Sequence, residues 1–132
     1  MSGEVSRASG ADGDDYALMS VSVRWHDRIL VMSVVGDIDL VTAAQLSDSV
    51  TAAVQNGPAG LVVDLSAVNF LASAGMSVLI DAAQHSDRSR IPYAVVARGA
   101  ATARPMALVG LDAKFPVFGT VEDAVDACLR PA

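Results

Sequence analysis

Residues 60–80, GLVVDLSAVNFLASAGMSVLI, contain the change from a buried strand to a helix around which the chain is organised. Residues 61–65 form a short apolar run, rich in β-branched side chains, that is typical of a strand buried on both faces of a parallel or mixed sheet. From Met76 onward the apolar residues follow the spacing of a helix packed on that sheet. Small residues at 72–75 let the backbone turn sharply between the two elements.

Ser73 lies in this turn, at the predicted start of the helix. A serine there can cap the helix by accepting hydrogen bonds from the first free N–H groups. The same position is at the positive end of the helix dipole, where a phosphate group is held favourably. Ser73 is therefore the main candidate functional residue, and a purely structural N-cap is the alternative.

The composition indicates a single domain without a membrane span. A chain of 132 residues has room for one core, and a hydrophobic content of 52% predicts a sheet largely covered by helices. No apolar run reaches the roughly 20 residues needed to cross a bilayer, and the first residues do not form a basic-then-apolar leader. We therefore expect a cytoplasmic protein with no membrane partner.

Charge and ligand-type residues narrow the possible partners. The net charge of -6 argues against nucleic acid, whose phosphates are bound by Lys and Arg, and favours a basic protein surface as partner. With one cysteine and two histidines, His26 and His85, no metal cluster is expected and no cofactor is implied. Cys128 is predicted to be an apolar core residue of the last helix.

The order of predicted elements gives an α/β fold. Residues 1–17, rich in Ser, Gly and Asp, are predicted to be a disordered tail, and residues 18–130 the folded domain. Apolar alternation predicts an antiparallel hairpin of strands 19–25 and 28–35 that turns at His26-Asp27. The later segments predict a strand over 92–97, a short helix over 100–111, an edge strand over 114–118 and a terminal helix capped by Thr120. Together they predict a mixed four- to five-stranded sheet with helices packed against it.

Two aspartates precede a helix that is predicted to open at Thr42. Asp37 and Asp39 lie where negative charge favours a helix N-terminus, so Asp39 and Thr42 would stabilise the turn and the helix start. Alternatively, one aspartate belongs to a binding surface at the same end of the sheet as Ser73. Asp64 could join them there, and a solvated rim is the preferred interpretation of such a group.

The motifs do not favour an enzyme. The segment Ala72-Ser73-Ala74-Gly75 lacks the first glycine of the G-x-S-x-G nucleophile turn. The two histidines fall in a predicted turn and a polar helix end, which makes a Ser-His-Asp triad a poor interpretation. No glycine-rich phosphate-binding loop follows a predicted strand.

Several segments together resemble the STAS domain, and within it the single-domain anti-sigma factor antagonists of bacteria. The similar segments, which extend over residues 19–129, are VGDID at 35–39 (family G-E-[LI]-D), LVVDLS at 61–66 with VNFL at 68–71, SAGM at 73–76 (family D-S-[ST]-G-[LI]), and MALVGL at 106–111 with Phe115. Ala72 and Ala74 stand where the family has an aspartate and a hydroxyl residue. Ser73 is thus the only hydroxyl acceptor in the turn.

The resemblance implies a switch with a protein partner. In this family the unphosphorylated antagonist binds an anti-sigma factor, which is also a serine kinase of the histidine-kinase ATPase type, and so releases a sigma factor. Phosphorylation of the turn serine, here Ser73, blocks binding, and a phosphatase restores it. Asp39 matches an acidic position on the partner-facing surface, which we expect to comprise Asp37, Asp39, Thr42, Ala72, Ser73, Ala74, Gly75 and Met76. The alternative is a STAS scaffold or transporter-associated subunit that binds a protein without a phosphorylation cycle.

Overall fold

The computed structural model describes residues 19–130. The predicted disordered tail, residues 1–17, lies outside the described residues and stays a prediction. The described chain forms β1 (Met19–His26), β2 (Ile29–Ile38), α1 (Leu40–Gln55), β3 (Gly60–Leu71), α2 (Ser73–Arg88), β4 (Tyr93–Val96), α3 (Ala103–Leu108), a 3-10 turn (Leu111–Ala113), β5 (Val117–Phe118) and α4 (Val121–Leu129).

The strands form one mixed sheet in the order β1-β2-β3-β4-β5. Strand β1 is antiparallel to β2, and the remaining neighbours are parallel. This arrangement confirms the predicted α/β class with a mixed sheet, at the upper end of the predicted strand number. Among residues 19–130, every helix is too short or too polar to cross a membrane.

The N-terminal hairpin is present, but its turn lies one residue later than predicted. His26 is the last residue of β1 and pairs with Ile29, so Asp27 and Arg28 form the turn. Asp27 has a φ of 59°, a left-handed conformation that aspartate adopts more readily than most residues. The prediction that His26 starts the turn was therefore wrong by one position.

Strands β2 and β3 are both longer than the sequence predicts. Strand β2 continues through Gly36 and Asp37 to Ile38, with register shifts between Ser33 and Val35 and between Gly36 and Asp37. Gly36 takes a φ of 107°, which glycine tolerates because it has no Cβ. The bulges interrupt the apolar alternation, which hides the strand from periodicity. Strand β3 likewise continues past the predicted apolar run 61–65 as far as Leu71.

Helices cover the two faces of the sheet unequally. The larger core lies between the sheet and α1, α2 and α3, and its buried residues include Leu46, Leu79 and Met106. The smaller core lies on the opposite face, where Ala124, Val125 and Cys128 of α4 pack on the sheet. Cys128 is buried, as predicted, and burial raises the pKa of its thiol to about 11.

The C-terminal third differs from prediction mainly in element length. The helix predicted over 100–111 is only α3, because Gly110 adopts a φ of 80° and separates it from the 3-10 turn. The predicted edge strand is reduced to β5, which does lie at the edge of the sheet. The Thr120 cap of α4 is confirmed, since its side chain accepts a hydrogen bond of 3.1 Å from the Asp123 N–H.

Candidate functional site

Two strand-to-helix turns lie side by side at the carboxyl ends of β2 and β3. Strands β2 and β3 are parallel neighbours whose last paired residues are Ile38 and Leu71, and each strand leads directly into a helix. The Ala72 N–H donates a hydrogen bond of 2.8 Å to the Ile38 carbonyl, which joins the two turns. The first turns of α1 and α2 therefore present a continuous surface.

Asp39 and Thr42 form a reciprocal cap at the start of α1. One Asp39 carboxylate oxygen, Oδ1, accepts hydrogen bonds of 2.9 Å from the backbone N–H groups of Val41 and Thr42. In return, the Asp39 N–H donates to Thr42 Oγ1 at 2.9 Å. This capping box satisfies backbone donors that a helix start would otherwise leave free. The prediction that these two residues stabilise the helix start is confirmed.

The details of this cap correct two expectations. Thr42 does not open the helix, because α1 begins at Leu40 and Thr42 is its third residue. Thr42 is buried, and its hydroxyl donates to the Asp37 carbonyl at 2.9 Å. It therefore supports the surface from below instead of lining it. Above all the Thr42 N–H, and also the Val41 N–H, hold the pKa of Asp39 below its ordinary value of 3.8.

Ser73 is exposed and is the first residue of α2, so the alternative interpretation of Ser73 as a structural N-cap was wrong. The N-cap is Ala72, whose extended backbone (φ -85°, ψ 168°) continues the direction of β3 by one residue. Within residues 19–130, no hydrogen bond engages the Ser73 hydroxyl. The hydroxyl is therefore free to react or to be covered by another molecule.

Gly75 brings the start of α2 close to the strands. A Cβ at this position would clash with the side chain of Ile38 and lie 2.9 Å from Leu71 Cδ1. Since real Cβ atoms do not approach carbon atoms so closely, any larger residue would push the helix away from β2 and β3. Gly75 is buried, so its contribution to the surface is to fix where Ser73 stands.

The other predicted site residues differ in how far they reach solvent. Ala72, Ala74 and Asp37 are half-buried, and Met76 is half-buried against the larger core. Asp64 does not join Asp37 and Asp39. It pairs with Ser33 in the middle of β3, six positions before the Phe70 that pairs with Asp37, and its carboxylate accepts a hydrogen bond of 2.6 Å from the Ser66 hydroxyl. The surface around Ser73 thus contains two of the three aspartates.

Large exposed apolar side chains lie in the two strand-to-helix turns that contain Ser73 and Asp39, and sequence reasoning missed them. Leu40 and Val41, in the first turn of α1, are 80% and 83% exposed. Phe70, which pairs with Asp37 at the end of β3, is 52% exposed. The available signal was a pair of large apolar residues directly after a capping aspartate, where a helix usually has polar or acidic residues.

The described residues offer no arrangement for metal or acid–base chemistry near Ser73. Among residues 19–130, no group of three or more His, Cys, Asp and Glu side chains is placed to hold a metal ion. His26 ends β1 at the start of the hairpin turn, and His85 lies in the last turn of α2, at the opposite end of that helix from Ser73. The exposed Ser73 hydroxyl and the exposed apolar side chains in the same two turns suit recognition of a macromolecule.

Comparison with known proteins identifies similar chains. The STAS domain family model matches residues 20–124. The anti-sigma-F factor antagonist RsfB of Mycobacterium tuberculosis is 42% identical over 107 residues, which are 81% of this chain and 87% of RsfB. The crystal structure of an anti-sigma factor antagonist from Mycobacterium paratuberculosis matches with a TM-score of 0.80 and 42% identity, covering 85% of this chain and 95% of that one.

A more distant structure shares the fold. The Bacillus cell fate determinant SpoIIAA, solved in its phosphorylated form, matches with a TM-score of 0.62 and 14% identity, covering 82% of this chain and 98% of that one. At that identity the likeness is one of fold alone.

Proposed function

This chain belongs to the STAS domain family, and from that premise we propose that it is an anti-sigma factor antagonist regulated by phosphorylation of Ser73. In this proposal the unphosphorylated chain binds an anti-sigma factor and thereby frees a sigma factor. The anti-sigma factor is also the serine kinase, of the histidine-kinase ATPase type, and a separate phosphatase removes the phosphate. The chain is a regulatory binding protein rather than an enzyme, as its 42%-identical relative RsfB is an antagonist by name. Its place of action would be the cytoplasm.

The single observation that carries the proposal is the exposed, unbonded hydroxyl of Ser73 at the start of α2. A kinase needs an acceptor oxygen that its active site can reach. The Ser73 hydroxyl is exposed, and within the described chain it has no hydrogen bond that would have to break first. The first backbone N–H groups of a helix lack partners within the helix and favour a negative group. A phosphate on Ser73 would therefore be tolerated by the chain itself.

Electrostatics explains how such a phosphate would oppose partner binding. It would add a charge of about -1.5 to -2 at neutral pH to a chain whose net charge is already -6. Asp37 and Asp39 lie in the adjoining turn, so the phosphate would add to charges of the same sign. Docking would remove water from the phosphate without offering a cation from this chain, and the desolvation cost would oppose the complex.

A second function is a STAS scaffold or transporter-associated subunit without a phosphorylation cycle. The observation that favours it is Ala72, at the position where the family has an aspartate before the serine. Ala72 cannot supply the charge and hydrogen bonds of that aspartate to a kinase. The surface would then bind its partner constitutively.

Incubation with the cognate anti-sigma factor and ATP distinguishes the two. We expect intact-mass spectrometry to detect one added phosphate on the wild type and none on Ser73→Ala. Ser77→Ala is the matched control, because Ser77 is also exposed on α2, one turn further on, and its removal should leave phosphorylation intact. Stable binding without phosphate incorporation would support the scaffold, and phosphate retained in Ser73→Ala would place the modification elsewhere.

A further inference from the structure

Leu40 and Val41 are unusually exposed for large apolar residues. They are the first two residues of α1, and 80% and 83% of their surfaces remain in solvent. Helix α4 shows the ordinary arrangement, since its first turn contains Glu122 and Asp123, which complement the helix dipole. Helix α1 has no acidic residue in its first turn. In α1 the N-cap Asp39 supplies the negative charge that complements the dipole, and the two positions after it hold exposed apolar side chains.

The capping box holds this pair in a fixed orientation. Asp39 Oδ1 bonds the N–H groups of Val41 and Thr42, and Thr42 is anchored in turn to the Asp37 carbonyl. A fixed apolar pair loses little conformational entropy when a partner covers it, because the backbone is already ordered. Asp39 Oδ1 is thus occupied by hydrogen bonds within its own chain.

Charge indicates which kind of molecule would cover the pair. In a two-fold interface centred on the pair, Asp37 and Asp39 would approach the same aspartates of the second copy, and like charges disfavour that contact. A partner whose apolar cleft has its cationic residues opposite Asp37, away from Ser73, would match both features. The pair is also continuous with the Ser73 surface, because the Ala72–Ile38 hydrogen bond joins the first turns of α1 and α2.

We propose that Leu40 and Val41 are the apolar anchor of the complex with the anti-sigma factor, and that Asp39 is a positioning residue that presents them. The anchor inserts into an apolar cleft of the anti-sigma factor, which excludes water from the neighbouring Ser73. A phosphate on Ser73 would then be desolvated by the same contact that buries the anchor. This inference rests on the proposed function and names the residues that provide its affinity.

Titration calorimetry with the full chain and its cognate anti-sigma factor tests the anchor. Leu40→Ser/Val41→Ser should weaken binding at least about tenfold, as expected for truncation of central apolar contacts. Trp25→Ser is the matched control, because Trp25 is 56% exposed at the opposite end of the sheet, and its affinity should stay within about twofold of wild type. Thermal melts of each variant should match the wild type, because the substituted side chains are largely in solvent.

Two substitutions of Asp39 test the positioning role. Asp39→Ala removes the cap and should weaken binding, whereas Asp39→Asn keeps a capping oxygen without the charge and should restore most of the affinity. A merely electrostatic contact would make both variants equally weak. That result would overturn the positioning role of Asp39 and return the carboxylate to the partner-facing surface.

The outcomes separate this inference from the proposed function. Ser73→Glu places a negative charge at the phosphorylation position and should weaken binding if the proposed function holds. If Leu40→Ser/Val41→Ser binds like the wild type while Ser73→Glu does not, the anchor is overturned and the proposed function stands. If all of these variants bind like the wild type, the interface lies elsewhere and both fail. If sedimentation velocity shows self-association that the Leu40→Ser/Val41→Ser variant abolishes, a second copy occupies the pair and the anchor is likewise overturned.

Discussion

Because Gly75 has no side chain, the start of α2 can pack closely on β2 and β3, and this packing sets the position of Ser73. The helix start lies against Ile38 and Leu71, with no room for a Cβ between them. Sequence reasoning located Ser73 at the strand-to-helix turn, but the N-cap position offered for Ser73 belongs to Ala72, one residue earlier. The reason is the Ala72–Ile38 hydrogen bond, which keeps Ala72 extended and moves the N-cap from Ser73 to Ala72. Such a one-residue shift depends on a contact between distant segments and is not visible in local sequence.

Gly75→Ala should therefore destabilise the fold by about 1–3 kcal/mol, the usual cost of overpacking a filled site. Urea denaturation followed by circular dichroism measures the loss. Gly119→Ala is the matched control, because an added Cβ there would lie 3.6 Å from Arg98 Cδ, an ordinary contact. Its free energy of unfolding should stay within about 0.5 kcal/mol of wild type. Equal stability of the two variants would show that α2 does not need its close approach to β2 and β3.

The exposure of Leu40 and Val41 could not be predicted from the sequence either, for a different reason. Helical apolar periodicity assigns large apolar residues to the buried face, and Leu40 and Val41 precede the periodic positions of α1 such as Ala43 and Leu46. Local sequence does not say whether such a pair is buried by a neighbouring element or left in solvent. Only the packing of α1 on the sheet reveals that the pair is uncovered.

Among the elements, α2 is tied to the sheet by a buried hydrogen bond as well as by packing. The Tyr93 hydroxyl of β4 donates to the Leu79 carbonyl of α2 at 3.1 Å. Burial raises the pKa of the Tyr93 phenol, so the hydroxyl keeps its proton and remains a donor at neutral pH. The Tyr93 ring also meets Phe115 edge to face, with 5.7 Å between centroids. These contacts connect the helix that carries Ser73 to β4 and to Phe115 within the larger core.

Tyr93→Phe removes the hydroxyl and keeps the ring. We expect a loss of about 0.5–1.5 kcal/mol in the free energy of unfolding, the net value of a typical hydrogen bond. Tyr93→Leu, which also removes the contact with Phe115, should lose more. Chemical denaturation of the three proteins gives the comparison, and a Tyr93→Phe variant as stable as the wild type would contradict the assigned bond.

Element type was predictable from sequence more fully than element length. The strands that follow clear apolar patterns were found, whereas the distal parts of β2 and β3 were not, because register shifts between them break the alternation of period two. The length of helix α3 was overestimated. Gly110 adopts a left-handed conformation and separates the helix from the following 3-10 turn, and apolar spacing gives no sign of that break.

Over the whole molecule, the smaller core has a chemical reporter in Cys128, the one cysteine of the chain. Its thiol lies between α4 and the sheet, and burial raises its pKa to about 11. Little thiolate is present near neutral pH, and reagents can reach the sulfur only when α4 leaves the sheet. The mixed sheet of this molecule follows from the order of predicted elements, but the separation into two cores of unequal size does not, because it depends on which face each helix covers.

Thiol labelling at pH 8 should accordingly be slow in the native protein and should accelerate with urea in step with the loss of helical circular dichroism. Coincident transitions would mean that α4 opens only with global unfolding. Rapid labelling without denaturant would contradict the packing of α4 and would reveal a separately opening helix.

Phosphorylation of Ser73 would give the partner-facing surface two charge states. The most direct measurement is the affinity of the cognate anti-sigma factor for the chain with and without phosphate on Ser73, by titration calorimetry at fixed ionic strength. A coupling of about 3 kcal/mol corresponds to more than a hundredfold loss of affinity on phosphorylation, and we expect a loss of that order. Equal affinities for the two forms would contradict the proposal that Ser73 is the switch.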